Sequence, residues 1–339
     1  MKKVILAVGM LALLCVAAGA AYNAIHNRYL ERKFPVPGKM YEVNGAPMHL
    51  FCIGRGTPTV VLENGLGGVW LDWQKVQPEL AKTTRVCSYD RGGLGWSDPQ
   101  PGLRDAKNIA AQLYSLLQKA GEAGPFVLVG ASSGGFAVRE FAAMYPTEVA
   151  GIVFSDSSVP DQIEKLPGAK ETQTKRSIRH LNAMWGSVKQ ASGWSRVTGK
   201  CKGEVEEGLE AYSDLARVIE CKPSLATSWL GEADNFERSA AEAAEARCCG
   251  DIRLLVISQD PDRPKPGWTA QQIAAQPIWN SLQESLKNLS TRSRRIIARN
   301  SKHHVMIDRP DVIINGTREL VFEIRGNTTD PEKGTTVVQ

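Results

Sequence analysis

Along the chain, short runs that are apolar at nearly every position alternate with longer segments whose apolar residues recur every three or four positions. The runs are Thr59-Val60-Val61-Leu62, Arg85-Val86-Cys87-Ser88-Tyr89, Phe126-Val127-Leu128-Val129, Gly151-Ile152-Val153-Phe154, Leu254-Leu255-Val256-Ile257 and Arg295-Ile296-Ile297-Ala298. A strand with apolar residues on both faces must be covered on both faces, which argues for parallel strands between helices. The segments between them supply such helices: Ile109, Leu113, Leu116, Leu117 and Ala120 form one stripe, and Phe136, Phe141, Ala142 and Tyr145 another. Ahead of these, Met40 to Val43 and Met48 to Ile53 flank Asn44-Gly45, a predicted hairpin. The pattern predicts an α/β fold with a doubly wound, mostly parallel sheet.

Between Ser158 and about Cys249 the alternation stops. A stretch rich in Ala, Glu, Lys, Arg and Ser takes its place, with Trp185, Trp194 and Trp229 scattered through it. It reads as a helical insertion whose tryptophans form either a small core of their own or the apolar underside of a lid. After it, Ile273 to Leu289 and Pro310 to Ile324 are predicted helices, the second begun by Asp308, Arg309 and Pro310. The expected organisation is a core of residues 39–158 and 250–326, a cap of residues 159–249, a linker over 23–38 and a loose tail over 327–339. The first 22 residues differ in kind: Lys2-Lys3 precede an uncharged apolar run from Val4 to Tyr22. That is an export signal, with Ala18-Gly19-Ala20 as a cleavage site, or an uncleaved membrane anchor. The protein is therefore expected to be exported or anchored, with membrane contact through residues 4–22 if the segment is kept.

Composition narrows the function. The 339 residues carry 41 basic and 36 acidic side chains, a net charge of +5, with no basic block interleaved with aromatics. Nucleic acid is not an expected partner. Of the seven cysteines, Cys15 lies in the leader, and Cys52 and Cys87 sit in strand runs as ordinary buried residues. Cys201 and Cys221, in the insertion, are the better disulfide candidates for an exported chain. No C-x-x-C or H-x-x-x-H spacing occurs, so no metal is expected, and no cofactor motif is present.

The chemistry begins at Gly130-Ala131-Ser132-Ser133-Gly134, which follows one apolar run and precedes a helical stripe. Strand, sharp turn and helix are what a nucleophile elbow requires, and they nominate Ser132. A serine hydroxyl needs a base to take its proton and a carboxylate to orient that base. Among five histidines, His303 and His304 follow the last strand run, on a loop that opens at the same sheet edge as the elbow. The acid is expected at a strand end between serine and histidine in chain order; Asp260 is preferred and Asp262 is the alternative. Oxyanion donors are expected from the amide of Ser133 and from the loop Glu63-Asn64-Gly65-Leu66-Gly67-Gly68, with Leu66 preferred to Gly65. The turn Asp90-Arg91-Gly92-Gly93 is expected to be structural.

The segments Val60 to Gly68, Tyr89 to Asp98, Val129 to Gly135, and Ser301-Lys302-His303 through Asp308-Arg309-Pro310 resemble the successive motifs of the α/β-hydrolase superfamily. The likeness extends over Thr57 to Ser158 and Ile252 to Arg325. It implies a Ser132 nucleophile, an acid at Asp260 or Asp262, and a helical cap. It also selects His303 over His304, because the family's histidine usually stands five residues before the aspartate matched by Asp308. Two positions depart from the pattern: Asn64-Gly65 replaces the common His-Gly, and Ala131 stands where histidine is frequent before the nucleophile. A serine at position 132 disfavours dehalogenase and epoxide hydrolase chemistry, which use aspartate there. The expected activity is hydrolysis of a small ester with an apolar acyl or aromatic group, through a Ser-His-Asp triad and an acyl-enzyme. The alternatives are an amidase, a lactonase or a carbon–carbon bond hydrolase with the same triad, or a noncatalytic ligand-binding scaffold.

Overall fold

The computed structural model describes residues 2–205, 207–263, 266–326 and 335–339. Its strands are β1 (Lys39–Val43), β2 (Ala46–Ile53), β3 (Val60–Glu63), β4 (Val86–Tyr89), β5 (Phe126–Ala131), β6 (Val149–Ser155), β7 (Arg253–Gln259), β8 (Ser293–Ala298) and β9 (Thr336–Val338). Helix α1 (Lys2–Lys33) precedes them. Between strands run α2 (Gln77–Leu80), α3 (Ala106–Ala120) and α4 (Gly134–Met144). The insertion holds α5 (Gln162–Lys165), α6 (Gln173–Ala191), α7 (Trp194–Val197), α8 (Ser213–Glu220), α9 (Ser224–Asp234) and α10 (Phe236–Glu245). The chain closes with α11 (Ala270–Ser285), α12 (Val305–Asp308) and α13 (Pro310–Ile324).

All the described strands form one sheet in the order β1-β2-β4-β3-β5-β6-β7-β8-β9. The pairs β1/β2 and β2/β4 are antiparallel and every other neighbouring pair is parallel. Successive strand residues point to opposite faces. Thus Val61, Leu128, Ile152 and Val256 pack with Leu113 of α3, Phe141 of α4 and Leu282 of α11. Val60, Val127, Val153 and Leu255 pack on the other face with Trp73, Leu80 of α2, and Ile313 and Leu320 of α13. Each such side chain, taken fully out of water, contributes about 1.5–3 kcal/mol, so the double covering fixes the register of the central strands. Helix ends follow local chemistry: the Asp105 carboxylate accepts from the Asn108 N–H at the start of α3, and Gly121, at φ 72°, ends it.

Four features differ from the sequence reading. Helix α1 continues through most of the expected 23–38 linker, and its end is buried where Leu30 joins Trp70, Trp96 and Ile219. The helix stops just before Pro35, as the restricted backbone preceding proline favours. Of the expected loose tail, Thr336–Val338 instead adds a parallel edge strand to β8; residues 327–334 lie outside the described set. Cys52 and Cys87, read as ordinary buried residues, stand directly opposite one another across β2 and β4 and are joined as a disulfide. Cys201–Cys221 and the adjacent Cys248–Cys249 are also bonded. The cap tryptophans form no core of their own: Trp185 and Trp194 are 62% and 60% exposed, and Trp229 lies over Gly67.

Candidate active site

Ser132 sits between the end of β5 and the start of α4 at φ 48°, a left-handed conformation that a non-glycine residue adopts only under constraint. The constraint is visible. The Ser132 N–H donates to Ser155 O at 3.2 Å, and Ser132 O accepts from Gly135 N and Ser158 N at 3.0 and 2.8 Å. A Cβ on Gly134 would stand 3.0 Å from Glu63 O and also overlap Asn64 O, and one on Gly135 would stand 2.6 Å from Ser157 Cβ. Both glycines let the helix press against β3 and the segment that follows β6.

His303, on the loop between β8 and α12, reaches the serine: Nε2 lies 2.9 Å from Ser132 Oγ. Its Nδ1 lies 2.6 Å from Asp156 Oδ2. An ionised Asp156 can only accept, so Nδ1 carries the proton and Nε2 presents its lone pair to the Ser132 hydroxyl. Burial disfavours the imidazolium, but the hydrogen bond and charge of Asp156 outweigh it and hold the His303 pKa above the ordinary imidazole value. His304 is exposed, its ring 5.5 Å from that of His303, and its carbonyl accepts from the Ile307 and Asp308 amides of α12.

Asp156 is the residue that the sequence reading misses. It follows β6 directly, at φ 43°, with its N–H donating to Ile257 O at 2.6 Å. Its Oδ1 accepts from Gln259 N at 3.1 Å and from Trp279 Nε1 at 3.0 Å, so the carboxylate is fully buried and aimed. The end of β6 thereby clamps over the end of β7 and occupies the place beside His303. Asp260 and Asp262 stand elsewhere. The Asp260 carboxylate accepts from Asn300 N at 2.9 Å, Asp262 N at 3.0 Å and Arg299 Nη1 at 3.3 Å. Burial acts to raise its pKa, but those amide bonds and Arg299 hold it below the usual carboxylate value. Asp262 is exposed and paired with Arg299 at 2.9 Å. These two aspartates order the turns after β7 and β8, and neither is bonded to the histidine. The signal for Asp156 is present in Ser155-Asp156-Ser157-Ser158, a polar stretch with an acid immediately after a buried strand that lies between serine and histidine in chain order.

The expected oxyanion loop packs against the serine, for a Cβ on Gly65 would stand 3.0 Å from Ser132 Cβ. Among the described residues the amides of Leu66 and Ser133 donate to no protein acceptor. Arg91 braces the loop from beneath. Its Nη1 donates to Asn64 O and Glu63 Oε1, both at 2.7 Å, and its Nη2 donates to Gly65 O. Nε donates to Glu232 Oε1 at 2.7 Å, and Glu232 Oε2 accepts the Gly67 N–H at 2.9 Å. Burial works against the Arg91 charge, but Glu232 and Glu63 hold its pKa above the ordinary value. Burial also raises the Glu63 carboxyl, against the pull of Arg91 and the Tyr89 hydroxyl. A cap residue, Glu232 of α9, thus helps set the loop's shape, which no local pattern in the insertion foretells.

A cleft of about 350 Å3 lies over these groups, lined by Leu66, Gly68, Ser132, His303, Met306 and Ile307 among others. A larger hollow of about 790 Å3 between Pro160–Lys170 and α10 holds neither Ser132 nor His303.

A model of the alpha/beta hydrolase fold family matches residues 58–310. A Gibberella zeae protein named as an AB hydrolase superfamily protein is 27% identical over 312 residues, covering 82% of this chain and 93% of that protein. An uncharacterised protein of Schizosaccharomyces pombe is 26% identical over 326 residues, covering 84% of this chain and 56% of that relative, so the chain spans little more than half its length. Among solved structures, a thermophilic esterase from Thermogutta terrifontis aligns with a TM-score of 0.58 and 18% identity over 85% of this chain and 99% of that one, a likeness of fold alone.

Proposed function

The chain belongs to the alpha/beta hydrolase family, and from that premise we propose that it is a serine hydrolase that cleaves a carboxylic ester with an apolar acyl or aromatic group. The observation that carries this reading is the hydrogen-bonded chain from Ser132 Oγ through His303 to the buried carboxylate of Asp156, at 2.9 and 2.6 Å. In the first step Ser132 Oγ attacks the ester carbonyl while His303 Nε2 takes the hydroxyl proton. Asp156 stays ionised, holds the imidazole in the productive tautomer and stabilises the imidazolium. The amides of Leu66 and Ser133 receive the developing oxyanion, a contribution of about 10²–10³ in rate for each donor. The imidazolium then protonates the departing alcohol. Water, activated by the same histidine, releases the acid from the acyl-enzyme.

Chromogenic esters of graded acyl length, with Ser132→Ala as the blank, test the reading. Turnover that falls by several orders of magnitude in the variant, together with Ser132-dependent labelling by a fluorophosphonate, supports it. Equal turnover in the two proteins refutes it. We also infer that α1 is a retained anchor and not a cleaved leader. The supporting feature is that the helix already packs on the cap before Ala20, where a Cβ on Gly19 would overlap Ser192 O and one on Gly193 would overlap Gly19 O. N-terminal sequencing of the membrane fraction tests this: a chain beginning after Ala20 refutes it.

A further inference from the structure

Helix α6 has two faces. Ala183 is buried, and Arg179, Asn182 and Gln190 line a groove completed by Leu225, Ala226 and Trp229 of α9. On the other face Ile178, Leu181, Met184, Trp185 and Val188 are 53–65% exposed. At about 100° per residue these five fall within an arc of about 120°. Helix α7 extends the stripe with Trp194 and Val197, 60% and 69% exposed. A contiguous apolar face of this kind marks an interaction surface.

Its position beside α1 identifies the partner. The first half of α1 is exposed and apolar, and the helix is long and apolar enough to cross a bilayer. It meets the cap at the corner between α6 and α7, where the backbones approach so closely that a Cβ on Gly19 would overlap Ser192 O and one on Gly193 would overlap Gly19 O. Polar anchoring begins just past this contact: Arg196 donates to both Asn23 and Asn27. The corner therefore stands where the apolar run gives way to polar residues, which is headgroup depth for a helix inserted in a membrane. Charge agrees with this placement. Between residues 170 and 202 the chain carries eight Lys or Arg and a single acid, Glu171. Lys170, Lys175 and Lys200 are exposed, and Lys189 Nζ stands 6.0 Å from the Trp185 ring. Tryptophan with a lysine fringe is the composition of an interfacial helix on an anionic surface.

We propose that the α6–α7 face of the cap is a membrane-docking surface, seated in the interface of an anionic bilayer beside α1, and that the substrate is a membrane-resident acyl ester. The second half rests on the hydrolase reading above. The groove between α6 and α9, of about 650 Å3, has Ile178 and Lys175 at its outer wall and reaches Gly67, which also lines the cleft over Ser132. An acyl chain lifted from the bilayer at α6 can run past Ile178, Ala183, Leu225, Ala226 and Trp229 to the oxyanion loop.

The full chain, reconstituted in vesicles of phosphatidylcholine and phosphatidylglycerol with brominated acyl chains, tests the docking. Bromine quenches nearby indoles, so native fluorescence falls and Trp185→Phe with Trp194→Phe abolishes that fall. Absence of quenching in the native chain, or quenching that survives the double substitution, overturns the docking. The substrate half is read with the triple variant Leu181→Gln, Trp185→Gln, Val188→Gln, whose substitutions lie outside the groove and the cleft. It hydrolyses 4-nitrophenyl acetate in solution within about twofold of native and loses about tenfold or more on 4-nitrophenyl palmitate dissolved in the vesicles. Equal effects on the two esters overturn the substrate assignment. If the native chain hydrolyses neither ester, the hydrolase reading fails and the substrate half with it, while the quenching decides the docking by itself.

Discussion

Replacing Asp156 by asparagine changes the charge and leaves the shape, and the structure dictates how the new amide must sit. Oδ1 accepts from two N–H donors, Gln259 N at 3.1 Å and Trp279 Nε1 at 3.0 Å. Turning the amide NH2 towards them would leave both donors without a partner in a buried place, at about 1–3 kcal/mol each. The amide oxygen of the variant side chain therefore keeps the Oδ1 position, and its NH2 faces His303 Nδ1, 2.6 Å from the carboxylate in the native protein. A donor there forces Nδ1 to accept, so the ring proton moves to Nε2, the atom that must take the Ser132 proton. The wrong tautomer costs about 10⁴ in kcat where a triad carboxylate is replaced by its amide, equivalent to about 5.4 kcal/mol of transition-state stabilisation. Steady-state hydrolysis of a chromogenic ester measures kcat, and thermal melting verifies the fold. KM is expected to change little, and Asp260→Asn is expected to keep kcat within about threefold, because that carboxylate is not bonded to the histidine. A loss below tenfold in Asp156→Asn, or a larger loss in Asp260→Asn, refutes the assignment of the acid.

The catalytic base must be neutral, so the acid limb of the kcat/KM profile lies above pH 6.5, and it moves down in Asp156→Asn, where only burial continues to act on His303. The same raised pKa sets a linkage: the imidazolium–Asp156 pair stabilises the fold fully below pH 6.5 and the contribution is lost as pH rises through the raised value, a trend that denaturant titrations at several pH values detect. Glu232→Gln leaves Arg91 paired with Glu63 alone and loosens the Gly67 amide; we expect a stability loss of about 3 kcal/mol by chemical denaturation and a fall in kcat, and an unchanged protein contradicts the bracing role. Gly134→Ala drives a methyl group to 3.0 Å from Glu63 O, so a loss of about 1–3 kcal/mol accompanies displacement of the oxyanion loop and lower turnover; full activity contradicts the close approach. Cys52→Ala with Cys87→Ala opens a crosslink spanning 35 positions and is expected to lower stability by about 2–4 kcal/mol, while mass analysis without reductant verifies the bond in the native chain.

Features encoded over short stretches are legible in the sequence. The central strands are continuous apolar runs because both their faces are buried, and the turn at Ser132 announces itself through Gly130 and Gly134, whose small size the packing of α4 on β5 and on β3 demands. His303 is legible because a loop that follows a parallel strand opens at the edge where the elbow lies. Asp156 is within reach of the same argument, since it too follows a parallel strand. It escapes a search that looks for the acid only after the next strand.

Sequence alone determined the doubly wound core and the turn at Ser132, and nominated Ser132 with the pair His303 and His304, since each rests on hydrophobic periodicity or on residues a few positions apart. Only the tertiary structure decided which strand end supplies the carboxylate, that Cys52 faces Cys87 across two strands, that Glu232 from the cap grips Gly67, and that α1 runs on to meet the α6–α7 corner. Those contacts join residues between 35 and 174 positions apart, taking the extremes from Cys52 to Cys87 and from Gly19 to Gly193. Separations of that size leave no mark in local pattern. They follow from strand register and from the packing of the inserted helices, and both come into being only when the whole chain closes.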